Sequence, residues 1–459
     1  MSVEAYLEEH YPAAVEDLKA FCRIPSVSTD PAFIEGIRHA AAFVSERLKK
    51  AGFASVEMLE TGGHPAVYGE IIADPNLPTY LVYGHYDVQP PDPLEKWQTP
   101  PFEPDERDGR LYARGVSDDK GPLLIPILVA EAFMRVEGRL PVNLKVLIEG
   151  EEESGSPHFA PTLAKYRDRL RCDLVLSADG AMWRPDKPSI TVASRGLAAL
   201  DVTVTGASKD LHSGRHGGSA PNPIAALSAL LASMHGPDGR VSVEGFLDGA
   251  TPPDPRILTA IDASNFDSAA YYREIGVAGG DPIDTGRELL IRQWLEPTLE
   301  FNGIWGGYQG KGTKTVIPNT AGAKITCRLV AGQKPAVVIA AITRHLQKHL
   351  PRGFQIEVHR HGPGSEADFV DPDLPALKIS EEVLGELLGQ KPLRVAMGAT
   401  IPIGSAFRQH LGCAAIFFSF STSDEDYHAP NEFFRLSNFK LGMRAWTMLL
   451  RRLAPAKNN

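Results

Sequence analysis

Five short polar segments hold the residues of this chain that could do chemistry together. They are Gly84-His85-Tyr86-Asp87, Ser117-Asp118-Asp119-Lys120-Gly121, the Glu149–Ser156 run with Glu151, Glu152 and Glu153 in succession, Ser177-Ala178-Asp179-Gly180, and Asp426–Glu432 with His428 inside it. Imidazole and carboxylate are the ligands that divalent zinc or manganese takes from a protein. Carboxylates crowded together without a cation repel one another and partly neutralise themselves. A pair of metal ions resolves that conflict, so the pattern points to two-metal hydrolytic chemistry.

Taken singly, most of these segments have a plainer reading. His85 and Asp87, with one residue between them, share a face of an extended segment. They read as a ligand and its supporting carboxylate, or as a turn histidine beside an Asx-turn aspartate. Asp118 heads an apolar helix and could simply cap it. Alternatively it could give one oxygen to each of two cations ~3.5–4 Å apart. The glutamate triplet is harder to dismiss, because it follows Val146-Leu147-Ile148, a run that should lie inside a protein. A dinuclear hydrolase needs one carboxylate on metal and a free neighbour as general base, and spacing alone leaves open which two of the three serve. With Asp179 and His428 added, each metal would have one histidine, one terminal carboxylate and a share of the bridge. A position is left for water, as in catalytic rather than structural sites.

Such residues must be positioned by ordered elements, and the apolar pattern supplies them. Helical spacing covers about residues 4–22 and 33–51, and strand-like runs follow at Ala66–Ile72, Tyr80–Tyr83, Leu144–Ile148 and Leu174–Leu176. An apolar helix fits Pro122–Val136 between the second and third of these runs. This rhythm predicts a largely parallel sheet flanked by helices. Ligands gather outside the carboxyl ends of such strands. His85, the glutamate triplet and Asp179 each follow a different strand, which places them at one edge. Near residue 192 the texture changes: Thr191–Gly206 alternates as one long antiparallel strand would. A helix at Ile224–Met234, a strand at Ala321–Val330, a helix at Pro335–Leu350 and a strand at Phe354–His359 complete an α+β block. Residues 236–283 are rich in Gly, Pro and Asp and give no clear pattern. Helix–strand alternation resumes from about 370 and ends in an amphipathic helix near Leu436–Leu453.

With 459 residues the chain exceeds what one core usually organises, so two domains are expected. It is 43% hydrophobic and 23% charged, with a net charge of -10 and no basic patch, which excludes a nucleic-acid partner. No apolar run approaches the ~20 residues of a membrane helix, so no membrane partner is expected. The first residues lack the basic start and apolar stretch of a signal peptide. Cys22, Cys172, Cys327 and Cys413 are scattered and read as buried, reduced thiols of a cytoplasmic protein. Gly306–Thr313 lacks the ending of a phosphate-binding loop, and His359 and His361 read as an exposed strand end.

In order along nearly the whole chain, YGHYDVQP, ARGVSDDKGP, EGEEESGS, SADG, KDLHSGRHGG, TVIPNTAGAKITCRLV and DYHAPNEFFRL resemble the M20 metallopeptidases, especially their carnosinase-like cytosolic dipeptidases. The resemblance implies an α/β fold: a mostly parallel-sheet catalytic domain with helices on both faces, residues 1–191 and 367–459, interrupted by an inserted α+β lid and dimerisation domain, residues 192–366. It implies two divalent ions per subunit, zinc first, with manganese or cobalt as alternatives. Asp118 would bridge them, one ion also taking His85 and Asp179, the other Glu153 and His428. Glu152 would be the general base to a metal-bridging hydroxide, with Asp87 in support and a cis peptide at Asp118–Asp119. His212 would reach across a homodimer to the neighbour's substrate carbonyl, and Arg328 would clamp a substrate carboxylate. Thr315, Gly398 and Thr400 match substrate-lining positions, although Gly398–Pro402 reads GATIP where the carnosinase-like pattern tends to GGSIP. The implied substrate is a dipeptide or short peptide with a free C-terminal carboxylate. The alternatives are N-acyl-amino-acid deacylation at the same site and a metal-free scaffold that keeps the fold.

Overall fold

A computed structural model describes residues 1–185, 187–277, 286–398 and 402–455. The chain divides into two compact units. The first comprises Met1–Val192, Val370–Val395 and Ala406–Asn459, and the second Ala193–Phe369 and Ala396–Ser405.

In the first unit, four adjacent strands run parallel in the order Asn143–Glu149, Thr79–His85, Leu174–Ser177, Ala415–Phe417. Antiparallel strands flank them: Ala66–Ile71 pairs with Asn143–Glu149 and Glu57–Leu59 pairs with Ala66–Ile71, while Thr191 pairs with Phe417. The Ala66–Ile71 run therefore falls outside the parallel set. The short connection 72–78 that follows it cannot carry a parallel crossover, which needs a dozen or more residues.

Helices cover this sheet because their sequences present apolar faces. Val3–Cys22 is capped by Ser2, whose hydroxyl accepts from the Ala5 amide at 3.1 Å. Gly121–Val136 buries nearly all its residues, as an all-round apolar helix should, and packs against Val3–Cys22 and Leu436–Leu453. The last of these is amphipathic, burying Phe439, Met443, Trp446, Leu450 and Leu453 at three- and four-residue steps.

The second unit is a four-stranded antiparallel sheet ordered Thr298–Gly306, Thr320–Leu329, Gly196–Thr205, Gln355–Arg360. Gly196–Thr205 alternates strictly between buried and half-buried residues. Leu200, Val202 and Val204 join Leu227 and Leu230 of helix Pro223–Ala232 and Ile342 and Leu346 of helix Pro335–His349 in one core.

One sequence expectation needs correction, and two regions without a clear pattern hold ordered elements. The alternating stretch 191–206 is not one strand: Ser189–Ser194 and Gly196–Thr205 are separate, broken at Arg195. At Gly196 the backbone presses on the Ser365 carbonyl, 2.4 Å from where a Cβ would stand, so only glycine passes. Strand Thr298–Gly306 escaped notice because a bulge between Phe301 and Gly303 interrupts its period of two. The region 236–283 contains helices Pro255–Ser264 and Ser268–Glu274, each opened by an aspartate cap, Asp254 and Asp267. Among the described residues, no helix is long and apolar enough to cross a membrane.

Candidate metal centre

The carboxyl ends of the parallel strands deliver the site. His85 ends Thr79–His85, the glutamate triplet follows Asn143–Glu149, and Asp179 follows Leu174–Ser177. Register puts His85 directly across from Glu149. Gly84 is needed beside it, because a Cβ there would stand 2.6 Å from Asp119 Oδ2 and 2.8 Å from Leu123.

Asp118 lies at the centre. Its Oδ1 is 3.0 Å from Nε2 of His85 and its Oδ2 is 2.9 Å from Nε2 of His428. Two histidines thus face different oxygens of one carboxylate. The ligand atoms of His85, Asp118 and Asp179 lie within 4.8 Å of one another, and so do those of Asp118, Glu153 and His428. The two triads share only Asp118. Nδ1 of His85 is 3.0 Å from the main-chain carbonyl of Asp87, so it donates there and Nε2 is the nitrogen left to bind an ion. The donor set is therefore suited to two divalent cations with a carboxylate between them.

Charge in this cluster follows from burial and mutual contact. Burial alone would favour neutral forms. The two histidines overcome it at Asp118 and hold its carboxyl well below the usual range. Hydrogen bonds to Asp118 and Glu153 push His428 up to about 10. His85 is fully buried, which opposes its charge, yet Asp118 and Asp87 raise it well above its ordinary value. Burial raises Asp179 to about 6 and Glu153 to about 7. Glu152 lies well above the carboxylate range, through burial and then the charges of Asp179, Glu153 and Asp118, which outweigh His85. Carboxyl groups raised by burial and by one another are ones that a nearby cation would favour in their charged form.

Within the glutamate triplet, Glu151 turns to His158, 2.9 Å from its Nδ1. Glu153 points at His428, 3.2 Å from its Nε2, and accepts from Gln89 Nε2 at 2.7 Å. Asp87 carries a wider load than a single histidine. Its carboxylate accepts from the amides of Glu152 and Glu153 at 3.3 and 3.0 Å, so it fixes the turn that presents both.

The loop bearing His428 is held in an unusual shape: Asp426, His428 and Asn431 all have positive φ, at 51°, 64° and 67°. Asn431 anchors it, accepting from the Gln98 amide at 2.8 Å and donating to the Lys96 carbonyl at 2.9 Å. Sequence reasoning gave no role to Glu432 or Glu425, although both lie beside His428. Glu432 accepts from Arg114 Nη1 and the Gly115 amide, both at 2.7 Å, and from the Ser117 and Asp118 amides at 2.9 and 3.1 Å. Glu425 accepts from the Ser117 hydroxyl at 2.7 Å. Two acids close to a ligand histidine, one of them opening an apolar run, were the available signal. The Asp118–Asp119 peptide is cis.

The other expected residues lie in the second unit. His212 ends the short strand Leu211–His212, paired with Val316–Ile317. Its Nδ1 accepts from the Gly214 amide at 3.1 Å, so the neutral ring carries its proton on Nε2, 3.4 Å from Thr315 Oγ1. Arg328 sits on strand Thr320–Leu329, cross-strand from Leu197 and Thr298. It lines a cavity of about 430 Å³ with Arg195, Arg240, Glu296 and Glu300. The Gly398 carbonyl accepts from Arg195 Nε at 2.6 Å. Thr400 lies outside the described residues.

A parallel-sheet edge with two ligand triads joined by one aspartate defines the class of protein that comparison with known sequences then specifies. Residues 81–452 match the model of peptidase family M20/M25/M40, and the chain belongs to that family. It is 30% identical to the human Beta-Ala-His dipeptidase over 98% of this chain and 92% of that protein. It is 31% identical to the Cys-Gly metallodipeptidase DUG1 of Candida albicans, over 95% and 94%. Among solved structures, an M20 family metallo-carboxypeptidase from Sulfolobus solfataricus, Sso-CP2, superposes with a TM-score of 0.86 at 29% identity, covering 96% of this chain and 99% of that one.

Proposed function

We propose that this protein is a dinuclear metallodipeptidase that hydrolyses the peptide bond of dipeptides or short peptides with a free C-terminal carboxylate. One observation carries the reading: two histidines from distant parts of the chain face opposite oxygens of Asp118. The dipeptidase names of the relatives supply the substrate class.

His85, Asp118 and Asp179 would hold one ion, and Asp118, Glu153 and His428 the other. Zinc is the first choice for such a donor set. When bound, the ions lower the pKa of water and polarise the scissile carbonyl. Glu152 takes the proton of the attacking water and passes it to the leaving amine, a base and acid in turn. Asp87 keeps Glu152 and Glu153 in place through their amides. His212, with its proton on Nε2, is suited to stabilise the oxyanion, coming from the partner copy of a homodimer. The planar fork of Arg328 holds the substrate's carboxylate. The four free thiols suit a reducing, cytoplasmic setting.

The test is a panel of dipeptides, β-Ala-His and Cys-Gly among them, against N-acetyl- and N-succinyl-amino acids, with purified protein loaded in turn with zinc, manganese and cobalt. Dipeptide turnover abolished by chelation and restored by metal is the expected result. Faster release of acetate or succinate would make the protein a deacylase at the same site. Inertness of the metal-loaded protein toward every substrate would overturn the reading.

A further inference from the structure

The segment around Asp118 resembles an anion receptor already filled from within. The amides of Gly115, Ser117 and Asp118 converge on one carboxylate, that of Glu432. Successive main-chain N–H groups that close around a point form a concave, positive nest. Here the guest is a side chain from more than 300 residues away, 1% exposed, with the equally buried Arg114 as counter-ion at 2.7 Å. Glu425 adds a second tie: its Oε2 receives the Ser117 hydroxyl and the Thr422 amide, and its Oε1 receives the Arg435 amide. Between Glu425 and Glu432 sits His428.

The consequence concerns the metal pair. Asp118 and His428 must be held together for two ions to share one carboxylate, and both lie on irregular backbone. Neither a helix nor a strand fixes Asp118, whose φ and ψ of -127° and 90° break the surrounding helical turn. We propose that Glu432 is the positioning residue of the metal centre. It welds the Asp118 turn to the His428 loop and so sets the affinity for the bridged ion pair; it touches no substrate itself. This inference rests on the metallohydrolase reading above.

The experiment measures metal content and affinity by chelator competition in the full-length protein, beside the melting temperature of the metal-free form and the steady-state rate. In E432Q the amide keeps the shape but turns donor hydrogens toward backbone donors. Affinity for the bridged pair should fall by tenfold or more, while the metal-free protein still folds. Excess metal should recover part of kcat with KM unchanged. R114Q keeps the carboxylate and its backbone contacts, so it should lower the melting temperature with a much smaller loss of metal affinity. E432D keeps the charge but draws the carboxylate back from the Ser117 and Asp118 amides, and gives a milder, graded loss should E432Q fail to fold. Unchanged metal affinity in E432Q, or in E432D where E432Q does not fold, would overturn the proposal. So would an R114Q defect as large as that of E432Q. Failure of the underlying reading looks different: the unmodified protein itself would bind no ion pair.

A second, independent observation concerns sulfur. Cys172 and Cys413, 241 residues apart, place their sulfurs 3.5 Å from each other. They flank the entry of two neighbouring strands, where the Val175 amide donates to the Ala414 carbonyl at 2.9 Å. Cys172 is partly exposed and Cys413 is 6% exposed. The geometry points to a reversible disulfide site. A small-molecule disulfide exchanges at the Cys172 sulfur, releasing one thiol; the Cys413 sulfur then displaces the second thiol and closes the Cys172–Cys413 bond. Each protein thiol gives up its proton to a departing thiolate.

Incubation of the metal-loaded protein with glutathione disulfide should remove two hydrogens from the intact mass and yield one cross-linked peptide. Dithiothreitol should reverse it. The oxidised protein should melt a few degrees higher than C172S treated in the same way, since a bridge between distant residues restricts the unfolded chain. A lasting glutathione adduct on Cys172, or thiols that do not react, would overturn the assignment.

Discussion

The candidate metal centre of the first unit and the proposed recognition residues of the second are built differently. Around Asp118, His85, Asp87, His428 and Glu432 each bond to a different strand or loop, and His85, Asp87 and Glu432 are buried. His212 ends a two-residue strand and Thr315 lies just before the strand paired with it; both are exposed, 3.4 Å apart, and the Gly214 amide orients the ring. Groups that must carry charge in a fixed geometry are held from several sides before any ligand arrives. Groups meant to meet a substrate stay accessible and lightly held, as binding residues commonly do. The contrast predicts that substitutions in the first unit remove metal or chemistry, and that substitutions in the second alter catalysis or binding with the metals still in place.

The sharpest test is Asp118→Asn. Losing the charge proposed to bridge the ions should release both and reduce hydrolysis to background, measured by metal analysis and by rate. Retention of two ions would break the comparison at its centre. Glu152→Gln separates chemistry from binding: metal content should be unchanged, while kcat falls by about 10²- to 10⁴-fold, the usual worth of a positioned general base. A near-normal rate would remove Glu152 from that role.

Much of the first unit was legible because its elements follow regular periods. The helix at Leu436–Leu453 and the strands that present His85 and Asp179 stand where the apolar spacing placed them, within a few residues. The choice among Glu151, Glu152 and Glu153 was not legible from spacing, since adjacent residues on a turn can point anywhere. The family resemblance, not the spacing, chose Glu152 and Glu153; in the fold Glu151 contacts His158. Glu432 was hidden for another reason: three of its four donors are backbone amides, which every sequence has, and the fourth is the distant Arg114. In the second unit the break at Arg195 was invisible because both strands keep the same alternation across it. At the break the chain passes close to the carbonyl of the distant Ser365, which Gly196 permits.

His212 offers the next test. Removal of one oxyanion donor commonly costs about 10²–10³ in kcat, so His212→Ala should lose that much with metal content intact. A mixing experiment sharpens it. If His212 serves the partner's site, a heterodimer of His212→Ala with Glu152→Gln has one site with both residues present. Equilibrated mixtures of the two nearly inactive variants should then recover about a quarter of normal activity, as two-fold symmetry requires. No recovery would assign His212 to its own subunit or remove it from catalysis.

Arg328→Ala should have the smallest effect on chemistry. The residue lines a cavity of about 430 Å³ within the second unit, beside Arg195 and Arg240. A charge-assisted bond to a carboxylate contributes about 1.5–3 kcal/mol, so KM should rise by about 10- to 100-fold while kcat changes less. The same substitution should leave turnover of a C-terminally amidated dipeptide almost unchanged, because that substrate has no carboxylate to lose. An equal loss on both substrates would mean that Arg328 supports the sheet between Leu197 and Thr298 and takes no part in recognition. The cavity would then belong to the scaffold, and the boundary between a rigid chemical unit and a selective one would have to be drawn elsewhere.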